Sequence, residues 1–67
     1  MTYEQAIKKA ISNLRAAMKE RGEYSDDDCL YVVFDDGAYQ VASERDLDTY
    51  FNGIADNAIM VHAVDLV

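Results

Sequence analysis

Residues 29–42, Cys29-Leu30-Tyr31-Val32-Val33-Phe34-Asp35-Asp36-Gly37-Ala38-Tyr39-Gln40-Val41-Ala42, decide the fold. Two runs rich in β-branched and aromatic residues flank Asp36-Gly37, a pair that accepts the positive φ required at both central positions of a type I′ hairpin turn. A two-residue turn sets Phe34 opposite Tyr39 and Val32 opposite Val41. Leu30 joins these four on one apolar face. The other face receives Cys29, Tyr31, Val33, Gln40 and Ala42, a mixed set. Turn chemistry and side-chain alternation therefore agree on one register, with strands over 29–34 and 38–42.

Upstream, Thr2 with Gln5 three residues later forms a capping-box pattern. Tyr3, Ile7, Ala10, Ile11, Leu14 and Met18 recur at helical spacing. Lys19 and Arg21 suit the negative end of the helix dipole, and Gly22 suits a left-handed stop. The spacing predicts a helix over 3–21, followed by a polar connection from Glu23 to Asp28.

Downstream, Ser43 is an N-cap with Asp46 as its capping-box acid. A short helix over about 44–52 follows, burying Leu47, Tyr50, Phe51 and Ile54 and ending near Asn52-Gly53. Asp56-Asn57 turns the chain into a last strand over about 58–66. The expected fold is α+β, one small domain over residues 1–67 in the order helix, strand, strand, helix, strand. A right-handed crossover by the second helix gives a three-stranded sheet of order 2-1-3, with both helices on one face.

At 67 residues and 51% hydrophobic content the chain is globular, with a thin core. Cys29 is the one cysteine, so no intrachain disulfide forms. The N-terminal stretch has an acid where a signal peptide carries basic residues, and no apolar run reaches the roughly 20 residues that span a bilayer. A cytoplasmic location without membrane association is expected.

Charge is the most distinctive property. Six basic and 13 acidic residues give −7, which disfavours direct contact with nucleic acid or anionic lipid. Residues 1–22 carry Lys8, Lys9, Arg15, Lys19 and Arg21 against Glu4 and Glu20, a net +3; residues 23–67 carry Arg45 alone against eleven acids, a net −10. One basic helix is thus joined to a strongly acidic remainder.

Catalytic and metal chemistry find little footing. Cys29 and His62 have no spacing that would make a nucleophile–base pair, and one Cys with one His cannot supply a structural zinc site. Gly22, Gly37 and Gly53 are isolated, so there is no phosphate-binding loop. Asp26-Asp27-Asp28 and Asp35-Asp36-Gly37 lack the alternating ligands and distal glutamate of a calcium loop. No catalytic residue, metal or cofactor is expected, and the chain is read as a non-enzymatic binding module.

Candidate partner-binding residues are therefore surface residues: Glu23, Tyr24, Asp26, Asp27, Asp28, Tyr31, Asp35, Asp36, Asp46 and Asp48, with Asp56 and Asp65 among the outer acids. For any single acid a solvating role suffices. As a set, carboxylates on a compact scaffold can imitate a nucleic-acid backbone and occupy a basic groove. Tyr24 and Tyr31 would be anchors, while Tyr3, Phe34, Tyr39, Tyr50 and Phe51 fit core positions. The leading expectation is an inhibitor that covers a basic, nucleic-acid-binding surface of a protein partner. The alternative is a structural or accessory homodimer formed through an outward sheet patch of Tyr31, Val33 and the last strand.

No motif names a family. The short, acidic, cysteine-poor α/β profile resembles small acidic proteins that bacteriophages encode to disable host enzymes, CRISPR inhibitors among them. That resemblance rests on size and charge, implies a protein-binding role and transfers no residue roles.

Overall fold

The computed structural model describes residues 1–49 and 59–67. Helix α1 spans Tyr3–Arg21, strand β1 Cys29–Asp35, strand β2 Ala38–Ser43, helix α2 Glu44–Thr49 and strand β3 Ile59–His62; a 3-10 turn closes the chain at Ala63–Leu66. β1 lies in the middle of a sheet ordered β2-β1-β3 and is antiparallel to both neighbours. The α+β order and the 2-1-3 sheet are those the sequence predicts.

Local chemistry accounts for the element ends. Thr2 Oγ1 accepts from the Gln5 N–H at 3.2 Å while Gln5 Oε1 accepts from the Thr2 N–H at 2.9 Å. Gly22 ends α1 at φ 73°, donating its N–H to the Met18 carbonyl. In the hairpin Asp36 has φ 51° and Gly37 φ 76°, the paired positive values of a type I′ turn. The register sets Phe34 against Tyr39 and Val32 against Val41, and shifts between Cys29 and Tyr31.

A Cβ at position 37 would meet nothing within 4 Å, so the cost of a side chain there is backbone strain alone. Gly37→Val should lower stability by about 1–2 kcal/mol, the penalty for a left-handed L-residue, larger if the turn rearranges. Chemical denaturation measures it, and an unchanged midpoint would refute the strain argument.

The core is the seam between α1 and one sheet face. Ala6, Ala10, Leu14, Leu30, Val32 and Ala63 form it, with Ile7, Ile11, Tyr39, Val41, Val61 and Val64 packed around them. The helix is turned relative to the expected stripe. Ala6 and Ala17 are buried, whereas Tyr3 and Met18 at the two ends are exposed. Small side chains let a helix approach a sheet closely, so the alanines occupy the line of contact and the larger residues flank it.

Other expectations need correction or restriction. The last strand is shorter than 58–66, because the chain leaves it at His62 and turns Ala63 into the core. Phe34 is 42% exposed, not a core residue. Helix α1 packs on the sheet face that holds Leu30 and Val32, and α2 follows β2 directly, with Glu44 bonding Tyr31. Tyr50, Phe51 and Ile54, the Asn52-Gly53 and Asp56-Asn57 signals, and Asp56 itself lie outside the described residues. Among the described residues no helix is long and apolar enough to cross a membrane.

Candidate interaction surface

At the end of the sheet where β1 begins, α1 ends and α2 starts, the fold collects charge. Glu20, Glu23, Asp26, Asp27, Asp28, Glu44, Asp46 and Asp48 gather there with Lys19, Arg21 and Arg45, eight carboxylates against three basic groups. α1 delivers Glu20 and Arg21, the 22–28 connection delivers the aspartates, and the β2–α2 junction delivers the rest.

The acids at this end divide into fasteners and free groups. Asp28 accepts from Arg21 Nη2 at 2.6 and 2.5 Å and from the Ser25 N–H at 2.8 Å. The Ser25 N–H first, then the Arg21 guanidinium, hold the Asp28 carboxyl below its ordinary range. Asp27 pairs with Arg45 Nε at 2.8 Å, an exposed contact worth little by itself. The Arg45 N–H donates to the Asp26 carbonyl, tying the connection to α2. Asp46 accepts from the Ser43 N–H at 3.1 Å, and Ser43 Oγ accepts from the Asp46 N–H at 3.0 Å, which makes the expected capping box. Among the described residues, the carboxylates of Glu23, Asp26 and Asp48 are exposed and lie in no ion pair.

Because the folded-state pKa of Asp28 is depressed, its contribution is present above the ordinary value of 3.8 and is lost as the pH falls through the lower folded value. Asp28→Asn should therefore melt below the parent at neutral pH, with the gap closing as the pH approaches about 2. Thermal melts across that range check it; a gap that stays constant with pH would show that the carboxylate's charge is irrelevant.

Beside the acids lies an aromatic group. The His62 ring sits 4.3 Å from Tyr31 and 6.2 Å from Tyr24 between ring centroids. Tyr31 Oη donates to Glu44 Oε2 at 2.7 Å. That bond, then burial, then the charges of Glu44 and Asp26 push the Tyr31 phenol up to about 12. The difference in ultraviolet absorbance between the parent and Tyr31→Phe should show this ionisation only near that pH, and Glu44→Gln should bring it down. Folding stability carried by the neutral phenol is present below pH 10 and lost as the pH rises through about 12.

The geometry separates the candidate residues that the sequence groups together. Glu23, Tyr24, Asp26, Asp27, Asp28, Tyr31, Asp46 and Asp48 share this end. Asp35 and Asp36 sit at the hairpin, roughly 20 Å away along the seven residues of β1. Tyr24 is the more exposed anchor at 44%, while Tyr31 is half-buried and bonded. Val33 is fully buried, so the outward patch expected from Tyr31 and Val33 is not an exposed surface. Glu44, His62 and Arg45 belong to the site and were not expected there. The i, i+4 spacing of Glu44 and Asp48 on α2 was a sequence signal for Glu44; none pointed to His62 or Arg45.

Cys29 is positioned by the Asn13 side chain, whose Nδ2 donates to the Cys29 carbonyl at 3.0 Å. Its thiol donates weakly to Asp46 at 3.9 Å. Burial first, then the Asp46 charge, raise its pKa, which keeps it a thiol and a poor nucleophile. Among the described residues no three His, Cys, Asp or Glu side chains converge as metal ligands.

Geometry and charge thus define a small α+β domain with one acidic, tyrosine-bearing end. No family model, curated protein or solved structure matches this chain.

Proposed function

We propose that this protein is a non-enzymatic binding module that inhibits a partner by covering its basic, nucleic-acid-binding surface with the acidic end of the sheet. The observation that supports the reading is the local concentration of charge: a net −5 at one end of the domain, on three chain segments locked together by the Asp28–Arg21, Arg45–Asp26 and Ser43–Asp46 contacts. A fastened array presents its charges with little ordering cost on binding. Glu23, Asp26 and Asp48 would meet basic groups of the partner, with Tyr24 supplying a packed contact and Tyr31 and His62 backing it. The reading places the protein in the cytoplasm, where Cys29 stays reduced. The alternative, a homodimer through the outward sheet face, would rest on Tyr31 and the last strand without Val33, which is buried.

The test uses a partner captured from native host lysate, with association measured at about 50 and 300 mM salt. Exposed charges are screened beyond about 10 Å at 0.1 M, so association should slow as salt rises. Glu23→Gln, Asp26→Asn and Asp48→Asn combined should slow it about tenfold with little change in dissociation. Nucleic acid bound to the partner should compete with the protein. A partner that holds nucleic acid and this protein together would overturn the proposal.

A further inference from the structure

We propose that the hairpin end of the sheet carries a second docking surface, fitted to an arginine side chain in a positively charged peptide segment of a partner protein. Tyr39 packs between Tyr3 of α1 and Phe34 of β1, with ring centroids 5.3 and 4.8 Å away and the rings tilted by 59° and 58°. Tyr3 and Phe34 are each 42% exposed, so an aromatic surface faces solvent where the sequence calls for core. Acids adjoin these rings in the chain: Glu4 follows Tyr3 and Asp36 lies in the turn two residues after Phe34, while strand alternation turns the half-buried Asp35 to the opposite face. None of the three acids lies in an ion pair among the described residues, although Lys8 is one helical turn from Glu4.

This combination has a specific complement. Aromatic faces attract a cation through their quadrupole, and the planar guanidinium stacks on them better than an ammonium does. Flanking carboxylates accept its N–H groups and favour a positively charged neighbourhood around it. The surface lies at the opposite end of β1 from the acidic end, and the inference does not rest on the function proposed above.

The experiment titrates the full chain with an acetylated, amidated peptide of three Gly-Arg repeats and with its lysine counterpart, following aromatic ring protons by NMR. The Tyr3, Phe34 and Tyr39 rings should shift, with the arginine peptide binding more tightly. Phe34→Leu keeps an apolar side chain but removes the π face, and should weaken binding about two- to fivefold. Asp36→Asn, which tolerates the left-handed conformation, should weaken it as well. The Glu23→Gln, Asp26→Asn, Asp48→Asn variant should retain these shifts, which separates this surface from the acidic end. Shifts confined to Tyr24 and Tyr31, or unchanged affinity in Phe34→Leu, would overturn the proposal. So would ring shifts that follow protein concentration without peptide, because a second copy would then be the occupant.

Discussion

Ala10→Glu should leave the chain largely unfolded in water at 25 °C, whereas Ala16→Glu, on the exposed side of the same helix, should change stability by no more than about 0.5 kcal/mol. Ala10 is fully buried at the contact between α1 and the sheet. A glutamate there must either bury an unpaired carboxylate, at a cost of several kcal/mol, or push the helix off Leu30 and Val32. A domain of this length is stable by only about 3–10 kcal/mol at ordinary per-residue values. Losing the seam therefore removes most of that margin. Circular dichroism and urea titration of the two variants decide it. A folded Ala10→Glu protein with an intact midpoint would mean that α1 is not held to the sheet at this residue. Because α1 supplies Arg21, the anchor of Asp28, unfolding the seam should also disperse the acidic end.

The second large effect is expected for Leu30→Ala, at about 2–5 kcal/mol of lost stability. Leu30 is 1% exposed and is among the largest fully buried side chains described. Around it in the core are Ala6, Ala10, Leu14, Val32 and Ala63, with Ile7 and Ile11 beside them; the alanines have no rotamers that could swing into the gap, and Leu14, Ile7 and Ile11 can fill it only in part. The backbone of α1 would have to move to close it, and the capping box and the Asp28–Arg21 bonds hold both ends of that helix. The cavity should therefore close only in part, and the cost should fall within that range. A loss below about 1 kcal/mol would show that the sheet and helix collapse readily onto each other.

Both expectations bear on function through rigidity. The acidic surface is assembled from the end of α1, the 22–28 connection and the start of α2, and no one of these would hold its charges in place without the sheet behind it. Several candidate acids turn out to be the fasteners of that assembly. Neutralising Asp26, Asp27 and Asp28 together would mix a binding effect with a folding effect, because Asp28 holds the connection to α1. Glu23, Asp26 and Asp48, exposed groups whose carboxylates fasten nothing among the described residues, make the cleaner test of charge.

Sequence alone determined the order of elements, the hairpin and its register, the capping boxes at Thr2 and Ser43, and the glycine stop at Gly22. These depend on interactions between residues two to four apart, or on strand alternation fixed by a tight turn, and such short-range rules can be read along the chain. It also determined the split between a basic helix and an acidic remainder, since charge is a property of residue type. Only the tertiary structure decided which face of α1 meets the sheet, because that choice turns on how closely Ala6 and Ala10 allow two backbones to approach. It alone decided that Asp28 and Asp46 are fasteners, that His62 backs Tyr31, and that Tyr3 and Phe34 are exposed on either side of Tyr39 rather than buried in the core. These outcomes depend on partners brought together from distant parts of the chain, and no local spacing encodes the distance between them.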